Sequence, residues 1–267
     1  MKPLLPLLVL LGSGELSAAP LAQDQVIKVC AQSAEWPPFM YTDKASNNKL
    51  RGYTIDFLQH SLIERGLRYT IDLVPWKRCM ELTQRGIYDM MTDASNSLER
   101  SQNYLVSKPY YQQQLVYFYD KERPRPAIHA AADLNKVRLC GMAGYNYSGF
   151  GLKPEEVEMG SQNLAQTFQK LKHDRCDAVP ERLEVTLGYR AQGVVDFEKL
   201  NIGVGYLPDL PRSTFHLMVS RNVVYGPALL EVLDEGIDKL NGNGVAQELA
   251  VKYGVPGAEL PRPKSKR

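Results

Sequence analysis

The sequence predicts an α/β chain folded as two lobes, joined by two hinge strands, with a central cleft between them. Three observations carry this. Strand-like and helix-like runs alternate from Val26 to Tyr253, as in open sheets covered by helices. The run KERPRP at 121–126 breaks the alternation into two blocks, because prolines interrupt both strands and helices. Two β-rich runs, near 115–120 and 212–218, flank the second block. The chain therefore leaves the first lobe, builds the second and returns. A single doubly wound sheet also fits the alternation, but it gives the proline break no role.

The elements follow in order. QVIKVCA at 25–31 is a short β-prone run that ends in SAEWPPFMYTD, where tandem prolines impose extended backbone and present Trp36 and Phe39 at a strand end. Asp56 to Arg65 places Phe57, Leu58, Ser61 and Leu62 at helical spacing, and Gly66 is suited to end it. Tyr69 to Val74 reads as a strand, Trp76 to Arg85 as a helix, and Tyr88 to Ala94 as the next strand. The second block repeats the pattern: strand 137–142, loop AGYNYSGFG, helix 162–172, strand 176–179 and helix 183–191. After LPDLPRS come a β-rich run at 214–220, a long amphipathic helix at 228–240, a break at Asn241 to Asn243, and a last helix at 245–253. The expected division is 23–117 with 214–256 for the first lobe and 118–213 for the second.

The N-terminus carries one lysine, an apolar run from Leu4 to Leu11 and small residues through Ala22, the pattern of an export signal. The run is far shorter than the roughly 20 apolar residues of a spanning helix, and Pro3, Pro6, Gly12 and Gly14 disfavour a buried helix. Residues 1–22 are thus expected to be a signal peptide on a soluble periplasmic protein. The formal net charge is +2, yet Arg262, Lys264, Lys266 and Arg267 crowd the C-terminus. The body is slightly acidic and 257–267 reads as a basic flexible tail, which argues against nucleic acid as a partner. Four cysteines stand at 30, 79, 140 and 176, an even count that in an exported chain suggests disulfides with three complete pairings open. The lobe division puts Cys30 with Cys79 and Cys140 with Cys176, which favours those two bridges over buried free thiols. Neither their spacing nor the four scattered histidines suits a metal site. No metal, no cofactor and no catalytic residue are expected.

Between Gly52 and Tyr111 every polar outlier falls at a strand end, where open α/β sheets build ligand sites. Gly52, Tyr53, Ile55 and Asp56, then Ser95 and Arg100, then Pro109, Tyr110 and Tyr111 resemble, in order and spacing, the first lobe of the family 3 extracellular solute-binding proteins. The resemblance spans about residues 25–254. It implies the type II periplasmic-binding-protein fold and a small polar solute, amino acid or similar, captured between the lobes. It also implies a monomer that serves an ABC permease or a membrane sensor.

The resemblance makes Arg100 the grip on a ligand carboxylate, a role suited to the fixed paired donors of a guanidinium. Ser95 and Ser97 fall where the family uses hydroxyl or backbone contacts; alone they read as capping serines. Asp93 departs from the small residue common there and is a candidate for a ligand ammonium or for a loop cap. Trp36, Trp76, Tyr53 and Phe39 are candidate cleft-wall aromatics, with core packing as the alternative, and Arg78 is a candidate source of positive potential. The loop Gly144, Tyr145, Asn146, Tyr147 lies where the family completes carboxylate binding, through backbone N–H groups if a helix follows. The segment CDAVPERLE resembles the strand after which the family places an acid for the ligand amine. Here Arg182 occupies that place, with Glu181 one before it and Glu184 two after. Either Glu181 serves after a small shift, or the ligand lacks that ammonium, a possibility that Thr54 also favours. An enzyme on the same fold, of dehydratase or peptidoglycan-acting type, is the competing class, with Glu35, Asp93 or Glu181 as its acid or base.

Overall fold

The structure is a computed structural model that describes residues 19–22, 24–255 and 257. The expected export signal falls mainly on residues 1–18 and the basic tail on 258–267, so both lie outside the described residues.

Strand β1 (Val26–Gln32) is followed by the hairpin of β2 (Tyr41–Asp43) and β3 (Lys49–Arg51) and by helix α1 (Tyr53–Ser61). Next come β4 (Arg68–Val74), α2 (Trp76–Gln84), β5 (Met90–Ser95), the short α3 (Leu98–Asn103) and the long β6 (Tyr104–Gln113). Strand β7 (Leu115–Asp120) leads to β8 (Cys140–Met142), β9 (Glu158–Ser161), α4 (Leu164–Lys172), β10 (Val179–Arg182), α5 (Leu183–Ala191) and β11 (Ile202–Tyr206). The chain returns through β12 (Ser213–Ser220) and closes with α6 (Gly226–Asn243) and α7 (Val245–Lys252).

These strands form two principal sheets. The larger has the order β4-β1-β5-β12-β6, with β1 parallel to β4 and β5 and β12 antiparallel to β5 and β6. The smaller is the antiparallel set β10-β7-β11, beside the parallel pair β8 and β9. Each strand's composition matches its place. Interior strand β1 is buried at Ile27 and from Val29 to Gln32, whereas edge strand β4 alternates exposed and half-buried residues.

Two crossings join the sheets. β6 passes into β7 through the single residue Gln114, and β12 enters the larger sheet with Ser213 opposite Gln113. The smaller sheet thus opens at Leu115, within the span expected for the first lobe. Glu184, at the start of α5, accepts the Gln114 N–H at 2.9 Å and pairs with Arg212, tying both crossings to one carboxylate. Helix α6 packs on β6, β12 and α1, which returns the C-terminal segment to the larger sheet.

Cys30 on β1 is bonded to Cys79 on α2, and Cys140 on β8 to Cys176, each pair with Cα atoms 5.7 Å apart, as disulfide geometry requires. The first bridge fixes the rotation of α2 against the sheet. Helix α1 starts three residues earlier than its periodicity suggests. Gly52 (φ +131°) lets the chain turn where any Cβ would meet the Phe39 carbonyl oxygen at 2.2 Å. Strands β2, β3, β6, β9 and β11 are additions to the expected set. Helix α6 runs through the three residues read as a break, and ends at Gly244 (φ +90°).

Candidate functional site

Lobes meet over a small cavity of about 20 Å³, lined from the larger sheet by Gln32, Asp93, Ser95 and Phe215, from α2 and α3 by Trp76 and Arg100, by Trp36, and from the smaller-sheet side by Tyr145, Asn146 and Arg182. Gln32, Asp93 and Ser95 stand at the C-terminal ends of parallel strands, where an open α/β sheet leaves its crevice. That space is little more than one water molecule requires, so a solute enters only when the lobes part.

Arg100 is only 7% exposed. Ser97 caps α3 by accepting the Arg100 N–H at 3.2 Å, and so sets the direction of the side chain. Its Nη1 donates to the Ser95 carbonyl at 2.7 Å and to Ser95 Oγ at 3.2 Å, while Nη2 donates to the Gly144 carbonyl at 3.2 Å. The guanidinium also lies 5.5 Å from the Trp76 ring. Among the described residues it makes no ion pair, so a buried positive charge is held by neutral groups alone. Burial, and then the like charge of Arg182, pull its pKa down to about 10, which still leaves it protonated at neutral pH.

Asp93 brings the cavity a carboxylate. Thr92 and Asp93 together oppose Leu217 in a bulge of the β5–β12 ladder, and Asp93 takes φ +57°. Such bulges re-aim a side chain, and left-handed backbone is a strain that the surrounding contacts must hold. Those contacts are Thr54 Oγ1 at 2.6 Å, Tyr110 OH at 2.8 Å and Tyr111 OH at 2.9 Å, all donating to Oδ1. Burial raises the Asp93 pKa, and the hydroxyl donors oppose that rise.

Direct bonds shut the two lobes across this cavity. Trp76 Nε1 donates to the Gly144 carbonyl at 3.2 Å, Tyr145 OH to Gln32 Oε1 at 3.0 Å, and Asn146 Nδ2 to the Asn96 carbonyl at 2.9 Å. On the far side, Tyr189 OH lies 2.7 and 2.8 Å from the carbonyls of Ala34 and Glu35. Trp36 packs edge-on to Tyr145 with ring centres 5.6 Å apart.

Five expectations are corrected here. Arg78 is exposed, away from the cavity. On α2, Trp76 and Met80, four apart, share the face toward Gly144 and Arg100, and Cys79 is bonded to β1, so position 78 points outward. Tyr53 is fully buried in the core between Phe39 and Phe57, donating to the Tyr110 carbonyl at 3.1 Å. Phe39 is also core, stacked 4.0 Å from Tyr111. Glu181 does not line the cavity. It accepts the Arg182 backbone N–H at 2.9 Å and Nη1 at 3.3 Å, while Arg182 faces inward. The unbroken register of β10 with β7 leaves no shift that could exchange them, since successive strand residues face opposite sides. Finally, the Gly144 loop turns the carbonyls of Gly144 and Asn146 to Arg100 and Arg182. Three N–H groups of this segment are engaged away from the cavity: Ala143 donates to the Ser161 carbonyl, Tyr145 to the Met142 carbonyl, and Ser148 to Asn146 Oδ1. No α-helix follows it before Leu164.

Of the expected cavity residues, Trp36, Trp76, Asp93, Ser95, Arg100, Tyr145 and Asn146 are brought together and Gly144 adjoins them. Gln32, Arg182 and Phe215 were missed, Arg182 because its neighbour Glu181 was chosen. Gln32 had a signal, the last residue of a parallel strand; Phe215, within the return crossing, had none.

No curated protein matches this sequence. Among solved structures, the fold is similar to a substrate-binding protein of an ABC uptake transporter from Streptococcus pneumoniae with bound histidine (TM-score 0.71, 19% identity, 88% of this chain and 95% of that one). It is also similar to a histidine kinase sensor domain resembling periplasmic binding proteins (0.70, 16%, 86% and 95%). A third likeness is to the arginine-, lysine-, histidine-binding protein ArtJ from Geobacillus stearothermophilus (0.69, 20%, 90% and 97%). These likenesses establish the type II periplasmic-binding-protein fold. Among the described residues no helix is long and apolar enough to cross a membrane. Residues 27–256 match one family from end to end, and the chain belongs to the bacterial extracellular solute-binding proteins, family 3.

Proposed function

We propose that the protein captures a small carboxylate-bearing polar solute, an amino acid or close analogue, by closing its lobes over it in the periplasm. The closed monomer then presents one shape to an ABC transporter. Arg100 carries the reading: a buried guanidinium that, among the described residues, has only neutral partners. A solute carboxylate would supply the missing countercharge through charge-assisted bonds. Asp93 receives the solute ammonium on the carboxylate oxygen that the three hydroxyls do not use. This places the amine-reading acid in the first lobe, while Arg182 occupies the position where the family pattern has an acid. Trp36 and Trp76 enclose the apolar part of the solute.

Binding is favoured over catalysis by the state of the candidate acids. Glu35 accepts the Thr42 N–H and Glu181 is engaged with Arg182, so Asp93 is the one of the three that lines the cavity, and three hydroxyls hold it.

A thermal-shift screen of amino acids, short peptides and small organic acids identifies ligands, because stabilisation grows with concentration over Kd. Against the best carboxylate hit, Arg100→Ala lowers affinity ten-fold or more, since hydrogen bonds to charged groups contribute about 1.5–3 kcal/mol. Unchanged calorimetric affinity for that hit would remove Arg100 from the site.

A further inference from the structure

Arg182 is 2% exposed and reaches the cavity from the opposite side to Arg100. Its guanidinium is held in place but incompletely satisfied. Nη2 donates to the Asn146 carbonyl at 2.7 Å, and Nη1 lies 3.3 Å from Glu181 Oε1. That second distance is longer than the roughly 2.7–2.9 Å of a strong charge-assisted bond. Nε is buried with no acceptor among the described residues. The ring faces of Phe150 and Phe215, at 5.6 and 6.0 Å, flank the group and keep water from it.

Two guanidinium groups thus share one small cavity, and they are close enough for the charge of Arg182 to weigh on Arg100. Like charges in a poorly solvated space repel more strongly than in water. A solute with one carboxylate and one ammonium would answer Arg100 and Asp93 and leave Arg182 with only its long, buried ion pair to Glu181. A second anionic group would give Arg182 the short charge-assisted bond that Glu181, at 3.3 Å, does not.

We propose that the solute carries two anionic groups, the first on Arg100 and the second on Arg182, so that its class is a short dicarboxylate or an amino acid with an acidic side chain. This rests on the reading of Arg100 given above.

The test compares matched acids and amides on the mature chain by titration calorimetry: glutamate with glutamine, aspartate with asparagine, succinate with succinamate. Members of a pair have nearly the same shape, so their ratio isolates the second charge. In the tightest-binding pair the acid binds at least ten-fold more tightly than the amide, and Arg182→Gln brings that ratio toward one. An amide that binds as well as its acid in the wild-type chain overturns the proposal while leaving the Arg100 reading intact. So does an Arg182→Gln variant, folded by thermal unfolding, that keeps the wild-type ratio. If no acid or amide binds and the screen yields only ligands without a carboxylate, the Arg100 reading falls and this inference with it.

Discussion

Gly188 tests whether closure, and not the cavity alone, determines affinity. It lies in α5 on the lobe that carries Arg182, and it abuts the tandem-proline loop of the other lobe. A Cβ at this position would stand 2.4 Å from the carbonyl carbon and oxygen of Pro37 and 2.7 Å from the Pro38 nitrogen. Restoring ordinary contact at 3.4 Å requires the lobes to part by about 1 Å on this side. The neighbouring Tyr189 hydroxyl, now at 2.7 and 2.8 Å from two carbonyls, would then pass beyond hydrogen-bonding distance. Losing that bond and its packing disfavours closure by about 1–2 kcal/mol, equivalent to roughly a 5- to 30-fold loss of affinity. Within α5 the same change is favourable, since alanine exceeds glycine in helix preference by about 1 kcal/mol. Gly188→Ala therefore separates two quantities that usually move together. Ligand-free melting temperature holds or rises, calorimetric affinity falls, and small-angle scattering with ligand shows a more open particle. Wild-type affinity together with wild-type compaction would refute the claim that this contact belongs to the closed state.

Two further outcomes follow from buried titratable groups. Asp93→Asn keeps the hydroxyl network and a residue tolerant of left-handed backbone, but removes the charge. Solute affinity falls ten-fold or more while ligand-free stability at neutral pH holds or rises. Burial raises the folded-state pKa of Asp93, so its contribution is fully present below the unfolded value near 4 and is lost as pH rises through the folded value. Melting curves from pH 4 to 8 should therefore fall more steeply in the wild type than in the variant; equal slopes would exclude Asp93 as their source. His216 acts with the opposite sign. Burial between the Ser107 carbonyl and Thr214 lowers its pKa, so its stabilisation is present above about 6.5 and lost as pH falls through the folded value. His216→Asn reduces the loss of melting temperature between pH 7 and 5, and an unchanged loss assigns that transition to other groups.

What the sequence disclosed, and what it withheld, divides along local and non-local lines. Helices α2 and α5 are bounded nearly as their periodicity and flanking residues indicate, because amphipathic spacing is a local signal. Strand β11 was missed for a non-local reason. Its glycines at 203 and 205 locally disfavour a strand, yet they oppose Tyr119 and Tyr117 on β7. A Cβ at either position would overlap those rings at 2.4 and 2.0 Å, so the aromatic partners stabilise what the glycines weaken. The cavity shows the same division. Arg100, Ser95 and Trp76 follow from motif and helical spacing, and helical spacing also explains why Arg78 turns outward. The Thr92–Asp93 bulge has no sequence mark, because it arises from a register shift against β12. The assignment of Glu181 failed on parity. Only the pairing of β10 with β7 determines which of two adjacent residues faces the cleft.

The two arginines give the cleft a reason not to lock while empty. Closure is supported by several direct bonds, among them Trp76 to Gly144, Tyr145 to Gln32 and Tyr189 to the Ala34–Glu35 backbone. At about 0.5–1.5 kcal/mol each, such bonds could hold the lobes together without any solute, and a receptor that closes empty is a poor receptor. Arg100 and Arg182 oppose this, because closure brings a guanidinium unpaired among the described residues and one only loosely paired with Glu181 from opposite lobes into one small space. A ligand shifts an equilibrium only by its differential interaction with the two states. A solute with an anionic group against each guanidinium has such a difference built in: it is bound by one lobe when the cleft is open, and by both, with the repulsion reversed, when the cleft is shut. The Glu184 carboxylate, bonded to both crossings, gives that movement a fixed pivot. On this account the arginine standing where an acid is expected does more than alter specificity, because it makes closure conditional on the charge of the cargo.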